Sequence, residues 1–300
     1  MSYVGRFAPS PTGPLHFGSL VAALASFLDA KANGGRWLVR IEDIDETRCD
    51  PAYATDILRT LQAFGLQWDG EVTVQTARKA LYGAVLQRLQ SQGLVYACGC
   101  SRKEIADSAT DGVEGPVYPG TCRHKELSAY GNSMRIRTTM DKIFFTDLVQ
   151  GEIEQNVGKD IGDFVLKRRD GLFAYQLAVV ADDADQGVTH VVRGADLLDS
   201  TSRQIYLQRS LGYPTPEYLH IPVAVNARGQ KLSKQTLAIA VAATRDGVQE
   251  VLLSALRFLG QPTTATANTA SVSELLASAA RNWDRGRIAR VRTLPASPAS

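Results

Sequence analysis

The chain has 300 residues, of which 44% are hydrophobic and 21% are charged, and its formal net charge is +2 at pH 7. This composition is ordinary for a soluble globular protein of two or three domains. It excludes a membrane-spanning protein, because no run of about 18 apolar residues occurs. The small net charge means that any RNA-binding surface must be a local patch. The N-terminus lacks a secretion-signal pattern, so we expect a cytoplasmic location.

The first predicted unit is a strand, a loop and a helix. Residues 3–7 have the pattern of a short strand, and residues 20–31 have apolar positions at helical spacing. Prolines and glycines between them favour a tight loop that brings His16 and Gly18 to the first turn of the helix. A helix start can bind phosphate, His16 can donate to a phosphoryl oxygen, and Gly18 leaves room for a flat base. Taken alone, this stretch is explained equally well by a plain turn with a surface histidine.

Residues 36–41 predict a buried strand, which completes a βαβ unit with a parallel sheet. Ligands of such sheets bind at the carboxyl ends of the strands. Glu42 follows this strand directly, so we expect it to face the same cleft as the preceding loop. Its carboxylate could pair with the ammonium group of an amino acid, or it could simply cap the next turn. Two packing helices are expected next, one that begins at Pro51 and one over residues 78–92.

Three of the four cysteines lie in a polar stretch that interrupts the α/β pattern. Cys98, Cys100 and Cys122 have the short spacings of zinc ligands, and a tetrahedral site needs a fourth ligand. Tyr118 and His124 are both close in sequence. Chemistry alone favours His124, because imidazole is a far commoner zinc ligand than phenolate. The alternative is that the cysteines are free and buried.

The middle of the chain returns to strands and helices. Asp170-Gly171 is a strong hairpin signal and predicts that Tyr175 lies on the second strand of the hairpin. By pattern alone, Tyr175 is a core residue and Arg193, at a strand end, is a surface charge. The predicted elements are strands over residues 133–137, 142–148, 163–169, 172–180, 188–193 and 218–225, and a helix over residues 200–211.

Two lysines lie three residues apart in K-L-S-K-Q, residues 231–235. They follow a turn that ends with Gly229, so both could reach a polyphosphate and stabilise departing pyrophosphate. Taken alone, such a pair is more typical of a solvated basic surface. Beyond it we expect a helix over residues 248–259, a Thr/Ala/Pro-rich linker over 262–270, a helix over 272–289 and a disordered tail over 293–300.

Two of these stretches together resemble the signature of a known enzyme class. S-P-T-G-P-L-H-F-G, residues 10–18, resembles the HIGH motif of class I aminoacyl-tRNA synthetases in its glutamyl form, and K-L-S-K-Q resembles their KMSKS motif. Ser19 stands where the full signature has a second histidine, and Gln235 stands where it ends in serine. The resemblance extends over residues 3–240 and implies ATP binding.

The resemblance also implies the fold class and the domains. We expect an α/β fold in which a Rossmann-type parallel-sheet catalytic domain carries an inserted zinc-binding, acceptor-type subdomain and a short helical C-terminal part. The expected boundaries are residues 1–97 and 142–235 for the two halves of the catalytic domain, 98–141 for the insertion and 236–300 for the C-terminal region.

The resemblance further implies a set of site residues. The catalytic residues would be His16, Gly18, Lys231 and Lys234, and ATP would be bound by His16, Gly18, Ser19, Lys231, Ser233 and Lys234, with Mg²⁺. Glutamate would be bound by Arg6, Phe7, Ala8, Pro9, Ser10, Glu42, Tyr175 and Arg193. In that set Arg6 holds the side-chain carboxylate, which arginine binds in bidentate fashion, and Glu42 holds the amino group. Family members that bind a structural zinc use ligands that match Cys98, Cys100, Tyr118 and Cys122, which favours Tyr118 and leaves His124 as the alternative.

Glutamyl-tRNA synthetases continue well beyond KMSKS with an anticodon-reading domain, which we do not expect here. The sequence therefore resembles a shortened family, the glutamyl-queuosine tRNA(Asp) synthetases. This implies tRNA-independent activation of L-glutamate with ATP, then transfer to queuosine in the anticodon of aspartate tRNA, by a monomer. The alternatives are a synthetase that charges the 3′ end of glutamate tRNA, a nucleotidyltransferase of the same fold that makes a small metabolite, and a non-catalytic RNA-binding paralogue.

The lysine assignment predicts that Lys234→Ala lowers glutamate-dependent exchange of pyrophosphate into ATP by at least about tenfold, because the lysine charge would stabilise the departing pyrophosphate. Exchange of labelled pyrophosphate at steady state measures this effect. Unchanged exchange would remove Lys234 from the reaction.

Overall fold

The computed structural model of this protein describes residues 2–108, 110–112, 115–226, 228–230, 245–263 and 271–296. The predicted lysine loop, with Lys231, Ser233 and Lys234, and most of the expected linker lie outside the described residues. None of the described helices combines the length and the apolar character needed to cross a membrane.

Strands and helices of the described residues are numbered in chain order. The strands are β1 Val4–Phe7, β2 Arg36–Ile41, β3 Thr73–Val74, β4 Val95–Cys98, β5 Thr110–Gly112, β6 Gly115–Val117, β7 Ser133–Ile136, β8 Lys142–Asp147, β9 Gly151–Asn156, β10 Val165–Lys167, β11 His190–Gly194, β12 Glu217–Ile221, β13 Val223–Val225 and β14 Thr293–Pro295. The helices are α1 Phe17–Ala32, α2 Pro51–Ala63, α3 Lys79–Ser91, α4 Arg102–Ser108, α5 Val157–Asp160, α6 Tyr175–Asp185, α7 Leu198–Leu211, α8 Arg245–Phe258 and α9 Val272–Arg281. Short 3-10 turns lie at Gln75–Arg78, Ala195–Leu197 and Arg285–Arg287.

Two groups of parallel strands form the centre of the fold. β1, β2 and β3 pair in parallel, and β11, β12 and β8 pair in parallel with β9 antiparallel at the edge. β1 and β11 lie side by side, and the Thr189 amide donates to the Val4 carbonyl oxygen at 2.9 Å. The resulting order, β3-β2-β1-β11-β12-β8, confirms the predicted Rossmann-like arrangement. The carboxyl ends of β1, β2 and β11 therefore lie at one edge.

Helices cover both faces of this parallel array, because its strands are buried on both sides. On β2, Trp37 and Val39 belong to a hydrophobic cluster with α1, α8 and α9, whereas Leu38 belongs to a second cluster with α3, α6 and α7. Successive side chains of a strand point to opposite faces. This alternation places α1, α8 and α9 in one layer and α3, α6 and α7 in the other.

The predicted hairpin around Asp170-Gly171 is wrong in its second half. Residues 165–167 form β10, but Tyr175 begins helix α6 instead of lying on a strand. Eight consecutive residues of α6, Gln176 to Asp183, are buried. Because the helix is buried on every side, its apolar run from Leu177 to Ala181 shows no polar face, and periodicity cannot distinguish such a run from a buried strand.

The C-terminal region differs from the prediction in two places. The helix expected over residues 272–289 ends at Arg281. The tail expected to be disordered contains β14, which pairs in parallel with β13, so the expectation is wrong for residues 293–295. The partner of β14 is distant in sequence, and the composition of the tail does not show it. The strand expected over 218–225 is interrupted at Pro222, which has no amide hydrogen to donate.

A small antiparallel sheet borders the stretch that carries the cysteines. β4, β7 and β10 pair antiparallel in the order β10-β7-β4, and β5 and β6 form a two-stranded hairpin. Cys98 is the last residue of β4. Of these strands, β5, β6 and β7 lie within the predicted insertion, residues 98–141, whereas β10 and all of β4 except Cys98 lie outside it. The domain boundaries themselves stay a prediction.

A buried carboxylate in α1 anchors the C-terminal region to the N-terminal half of the chain. Asp29 is fully buried. It accepts hydrogen bonds from Trp283 Nε1 at 2.8 Å and from the Arg285 guanidinium at 2.6 and 2.9 Å. The Tyr3 hydroxyl donates to the same carboxylate at 2.5 Å. The buried charge is thus compensated by partners from both ends of the chain.

We expect Asp29→Ala to lower the free energy of unfolding by about 2–4 kcal/mol, because three donor groups lose their buried acceptor. Urea denaturation measures this change. Asp56→Ala, which removes an exposed aspartate of α2, is the control, with an expected change below about 0.5 kcal/mol. Equal changes in the two variants would show that Asp29 does not anchor the C-terminal region.

Candidate active site

The carboxyl ends of β1, β2 and β11 open into one cavity with a volume of about 530 Å³. The start of α1 and the start of α6 complete its walls. Outside the cysteine cluster, every predicted site residue that the structure describes lines this cavity. These residues are Arg6, Phe7, Ala8, Pro9, Ser10, His16, Gly18, Ser19, Glu42, Tyr175 and Arg193. The cavity is large enough for a nucleotide-sized ligand.

Arg6 lies on β1 beside the cavity, and a carboxylate of α6 fixes its guanidinium. Arg6 Nε and Nη2 contact Asp183 at 3.2 and 3.4 Å. The same carboxylate pairs with Arg40 of β2 at 2.8 Å, and all three side chains are buried. Burial would raise the pKa of Asp183, but the Arg6 and Arg40 charges lower it below its ordinary value. Asp183 therefore stays ionised and holds Arg6 in place.

Glu42 follows β2 and lines the cavity with a buried carboxylate. Arg40 donates to it from Nε at 3.3 Å and from Nη2 at 3.1 Å. Burial raises the pKa of Glu42 above its ordinary value, although the Arg40 and Arg6 charges oppose the shift. A cationic ligand group beside Glu42 would favour the ionised carboxylate and so offset the cost of its burial.

A second network of buried, hydrogen-bonded polar groups fixes the side chain of Arg193 at the end of β11. Arg193 Nε donates to His220 Nε2 at 3.0 Å, and Arg193 Nη2 donates to Thr201 Oγ1 at 2.9 Å. His220 Nδ1 lies 2.6 Å from Asp147 Oδ2. Burial lowers the pKa of His220 to about 4 despite the Asp147 hydrogen bond, so the imidazole is neutral near neutral pH. Nδ1 then donates to Asp147, and Nε2 accepts from Arg193.

Tyr175, the first residue of α6, lies beside Arg193, whose Nη1 is 3.5 Å from the Tyr175 hydroxyl. Burial raises the pKa of Tyr175, and the Arg193 and Arg6 charges oppose the shift. The hydroxyl therefore stays protonated and can donate. Two guanidinium groups and one hydroxyl line this part of the cavity, which is an arrangement suited to a carboxylate ligand.

The start of α1 forms another wall of the cavity. His16 is the N-cap residue, and its Nδ1 accepts a hydrogen bond from the Ser19 amide at 3.3 Å. The nearest atoms to a Cβ built on Gly18 would be the His16 ring at 3.4 Å and Ala224 Cβ at 3.9 Å, which are ordinary contact distances. Protein packing therefore does not require glycine at this position. The absence of a side chain at Gly18 leaves space for a phosphate or a base to approach the helix start from the cavity.

β13 leads from the cavity to the predicted lysine loop. Val223 and Ala224 line the cavity. Two residues further, Asn226 Oδ1 accepts hydrogen bonds from the amides of Arg228 and Gln230 at 2.9 and 3.0 Å, which forms the predicted turn. Gln230, the last described residue before the predicted lysine loop, therefore lies only a few residues along the chain from the cavity rim.

The three cysteines that were predicted to bind zinc meet in space. The Sγ atoms of Cys98, Cys100 and Cys122 all lie within 4.8 Å of one another, and the Tyr118 hydroxyl is 3.3 Å from Cys98 Sγ and 3.6 Å from Cys100 Sγ. His124 is exposed and lies outside this group. Burial would raise the pKa of Cys122, but hydrogen bonds, chiefly from Tyr118, lower it to about 7. Three such thiols could bind a metal ion such as zinc.

Sequence reasoning missed three residues that organise the site, Arg40, Asp183 and His220. Each is a polar residue inside an apolar run, in R-W-L-V-R-I, L-A-V-V-A-D-D and Y-L-H-I. A buried charge needs partners, so these positions did signal buried pairs. The identity of each partner could not be read from one sequence.

Comparison with known proteins gives a consistent set of similarities. Residues 3–294 match the family model of tRNA synthetases class I (E and Q), catalytic domain. A protein of Ectopseudomonas mendocina named glutamyl-Q tRNA(Asp) synthetase is 53% identical over 98% of this chain and 97% of its own length. One of the same name from Dechloromonas aromatica is 54% identical over 94% of each chain. A crystal structure of a glutamate-tRNA synthetase from Elizabethkingia anophelis has the same fold, with a TM-score of 0.81 at 22% identity over 99% of this chain and 68% of that one.

The neutral, buried His220 predicts a loss of stability in acid. The unfolded chain takes up a proton at the ordinary histidine pKa, whereas the folded chain resists it until about pH 4. The contribution of neutral His220 to the free energy of unfolding is therefore complete at neutral pH and disappears as the pH falls. From about pH 7 to about pH 5 the wild type should lose about 2 kcal/mol more unfolding free energy than His220→Gln, whose amide can keep both hydrogen bonds. Urea denaturation at both pH values measures this, and parallel pH profiles would contradict it.

Proposed function

This chain belongs to the family of class I tRNA synthetases for glutamate and glutamine, among relatives named glutamyl-Q tRNA(Asp) synthetase, and we propose that it has the activity this name describes. The enzyme would activate L-glutamate with ATP, without needing tRNA, and transfer the glutamyl group to queuosine in the anticodon of aspartate tRNA. One observation supports this best. A single cavity combines two fixed arginines, a buried carboxylate and a helix start that can bind phosphate.

Glutamate would bind between the arginines and Glu42. Arg6 and Arg193, with the Tyr175 hydroxyl, would hold carboxylate oxygens, because guanidinium groups form paired hydrogen bonds with carboxylates. Glu42 would bind the amino group, whose positive charge offsets the burial of this acid. Ser10 and the backbone of residues 7–9 complete the lining of this pocket. A neutral side-chain amide would satisfy the two positive charges less well, which favours glutamate over glutamine.

ATP would bind at the start of α1, with Mg²⁺ as part of the nucleotide substrate. The α-carboxylate of glutamate attacks the α-phosphorus in line, a carboxylate–phosphate bond forms, and the bond to pyrophosphate breaks. Charge spreads over the phosphoryl oxygens, so positioned donors supply the catalysis. His16 and the amides of the first turn of α1 would act there, and Gly18 and Ser19 would border the nucleotide. Ser233, Lys231 and Lys234 would add contacts from the loop that follows the turn at Asn226.

The second step needs no nucleophile from the chain. A hydroxyl of the cyclopentene diol of queuosine attacks the activated acyl carbon, an ester forms, and AMP leaves with the electron pair of the broken bond. The hydroxyl proton can pass to the leaving phosphate. Holding the diol against the adenylate is the main contribution of the protein. We propose that one chain suffices, because residues of a single chain line the cavity. We also propose that the enzyme acts in the cytoplasm, as the sequence leads us to expect.

Glutamate selection predicts that Arg6→Ala raises the KM for glutamate in pyrophosphate exchange by at least about tenfold, because it removes a charged hydrogen-bond donor to the substrate carboxylate. The KM for ATP is the internal control and should change by less than about twofold, since Arg6 is assigned to glutamate and the proposed ATP contacts lie at the start of α1. An unaffected KM for glutamate would remove Arg6 from the pocket.

A structural zinc would be held by Cys98, Cys100, Cys122 and Tyr118. Thiolates are preferred zinc ligands, and the hydroxyl already lies against two of the sulfurs. When bound, the metal would connect β4 to the segment that carries Cys122. It would take no part in the chemistry, because four protein ligands leave no open position.

We expect about one zinc per chain by elemental analysis, with loss of zinc and a lower Tm in Cys122→Ser. His124→Ala is the matched control and should retain the metal, because His124 lies outside the cluster. Tyr118→Phe should lower zinc affinity if the phenol is the fourth ligand. Zinc retained by Cys122→Ser but lost by His124→Ala would reverse the assignment.

Charging of two forms of aspartate tRNA with labelled glutamate tests the proposed function. The queuosine-containing form should accept glutamate and the unmodified transcript should not, and nuclease fragments should place the label in the anticodon. Label at the 3′ end of glutamate tRNA would instead support the conventional synthetase. Absence of glutamate-dependent exchange would support a non-catalytic RNA-binding protein, and equal exchange with other acids would support a different nucleotidyltransferase.

A further inference from the structure

An arginine-rich segment connects α9 to β14. Residues 281–292 contain five arginines and one acidic residue, Asp284, so the segment carries a charge of +4 in a chain whose net charge is +2. We propose that this arginine segment binds the phosphate backbone of the tRNA substrate. The proposal rests on the proposed function, because it requires an RNA that reaches the cavity.

The arginine segment leads from the far end of α1 to the cavity rim. Near its beginning, Trp283 and Arg285 bind Asp29. Asp29 lies about 18 Å along α1 from the end of the helix that faces the cavity, at about 1.5 Å per residue. At the other end of the segment, the Val223 amide donates to the Arg292 carbonyl oxygen at 2.9 Å, and Val223 lines the cavity. The segment thus provides a continuous path to the site of the proposed transfer.

Most of the arginines along this path face solvent. The exposed ones are Arg281, Arg287, Arg290 and Arg292. Among the residues that the structure describes, Arg281 and Arg290 form no ion pair, and Arg290 Nε donates to the Gln150 carbonyl oxygen at 2.9 Å. Two exposed cations of this segment are therefore not neutralised within the described part of the chain.

Of the other two exposed arginines, Arg287 has an acidic partner that a phosphate could replace, whereas Arg292 is held by Asp199. Arg287 contacts Asp284 at 3.4 Å, and more than half of both side chains is exposed. Arg292 donates two hydrogen bonds to Asp199 at 2.8 and 2.9 Å, and the Asp199 side chain is only 25% exposed. Ion pairs between exposed groups contribute little to stability, because water and salt screen them.

The arrangement fits a polyanion better than a small anion. The guanidinium groups are spread along the segment, and the buried Ile288 between them separates Arg287 from Arg290. Because the segment runs from the Asp29 contact to the cavity rim, its exposed arginines are distributed along this path. Exposed arginines distributed in this way match the repeated charges of a nucleic-acid backbone, and they would bind without reading the base sequence.

A triple variant tests the arginine segment. Arg281→Gln, Arg287→Gln and Arg290→Gln are combined, while Arg285 and Arg292, which fix the path, are kept. The control combines Arg88→Gln, Lys159→Gln and Arg209→Gln, three exposed cations on α3, α5 and α7. Both variants lose three positive charges. In the control, α3 and α7 belong to the helix layer opposite α1 and α9.

Two readouts separate RNA binding from chemistry. Pyrophosphate exchange with glutamate and ATP needs no tRNA and should stay within about twofold of wild type in both triple variants. In transfer to queuosine-containing aspartate tRNA, the arginine-segment variant should raise the KM for tRNA by at least about tenfold, and the slope of log KM against log salt should fall by about 2. The control variant should change neither quantity by a comparable amount.

Each outcome decides between the interpretations. An unchanged KM for tRNA, or an equal rise in the control, would overturn the proposal and leave the proposed function intact. Exchange without transfer in the wild type would instead contradict the proposed function. If the triple variant loses exchange, single Arg281→Gln and Arg290→Gln variants replace it. Each should then raise the KM for tRNA by about twofold or more with normal exchange, and unchanged values would again overturn the proposal.

Discussion

A buried ion-pair cluster decides the architecture of the cavity. Arg6 and Arg40 lie on neighbouring strands, and burying two guanidinium groups there would be very unfavourable without an acid. Asp183 pairs with both. Because Asp183 is on α6, the helix must lie across this edge of the strands, and its first residue, Tyr175, then reaches the cavity. A requirement for charge compensation thus positions a helix, and the position of the helix supplies a site residue.

The two arginines of the cavity have different hydrogen-bond partners, and they therefore differ in how much of their positive charge is available to a ligand. Arg6 shares its charge directly with Asp183, whereas the described hydrogen-bond partners of Arg193 are neutral, namely His220, Tyr175, Thr201 and the Leu197 carbonyl group. The Asp147 carboxylate is linked to Arg193 through His220. Arg193 therefore keeps more of its positive charge available to an anionic ligand. Both groups are oriented before a ligand arrives, so little reorganisation accompanies binding.

The sequence predicted the parts of this molecule that depend on local pattern. The βαβ start, with His16 and Gly18 at the first turn of α1, follows from apolar spacing and from proline and glycine in the loop, and the structure has it so. The convergence of Cys98, Cys100 and Cys122 follows from their short spacing. The helix at Tyr175 could not be predicted, because burial on all sides removes the helical period. Asp183 and His220 could not be assigned either, because their partners, Arg6 and Asp147, are about 180 and 70 residues away in the chain.

Because protein packing does not require glycine at position 18, selection for folding and selection for activity should act differently on this residue. An added methyl group would meet only ordinary neighbours, and alanine is favoured over glycine within helices. A mutational survey that scores protein abundance should therefore tolerate alanine there. A survey that scores turnover should reject it, provided that a nucleotide occupies the space beside the backbone. Disagreement between the two surveys at one codon would locate the ligand without a ligand-bound structure.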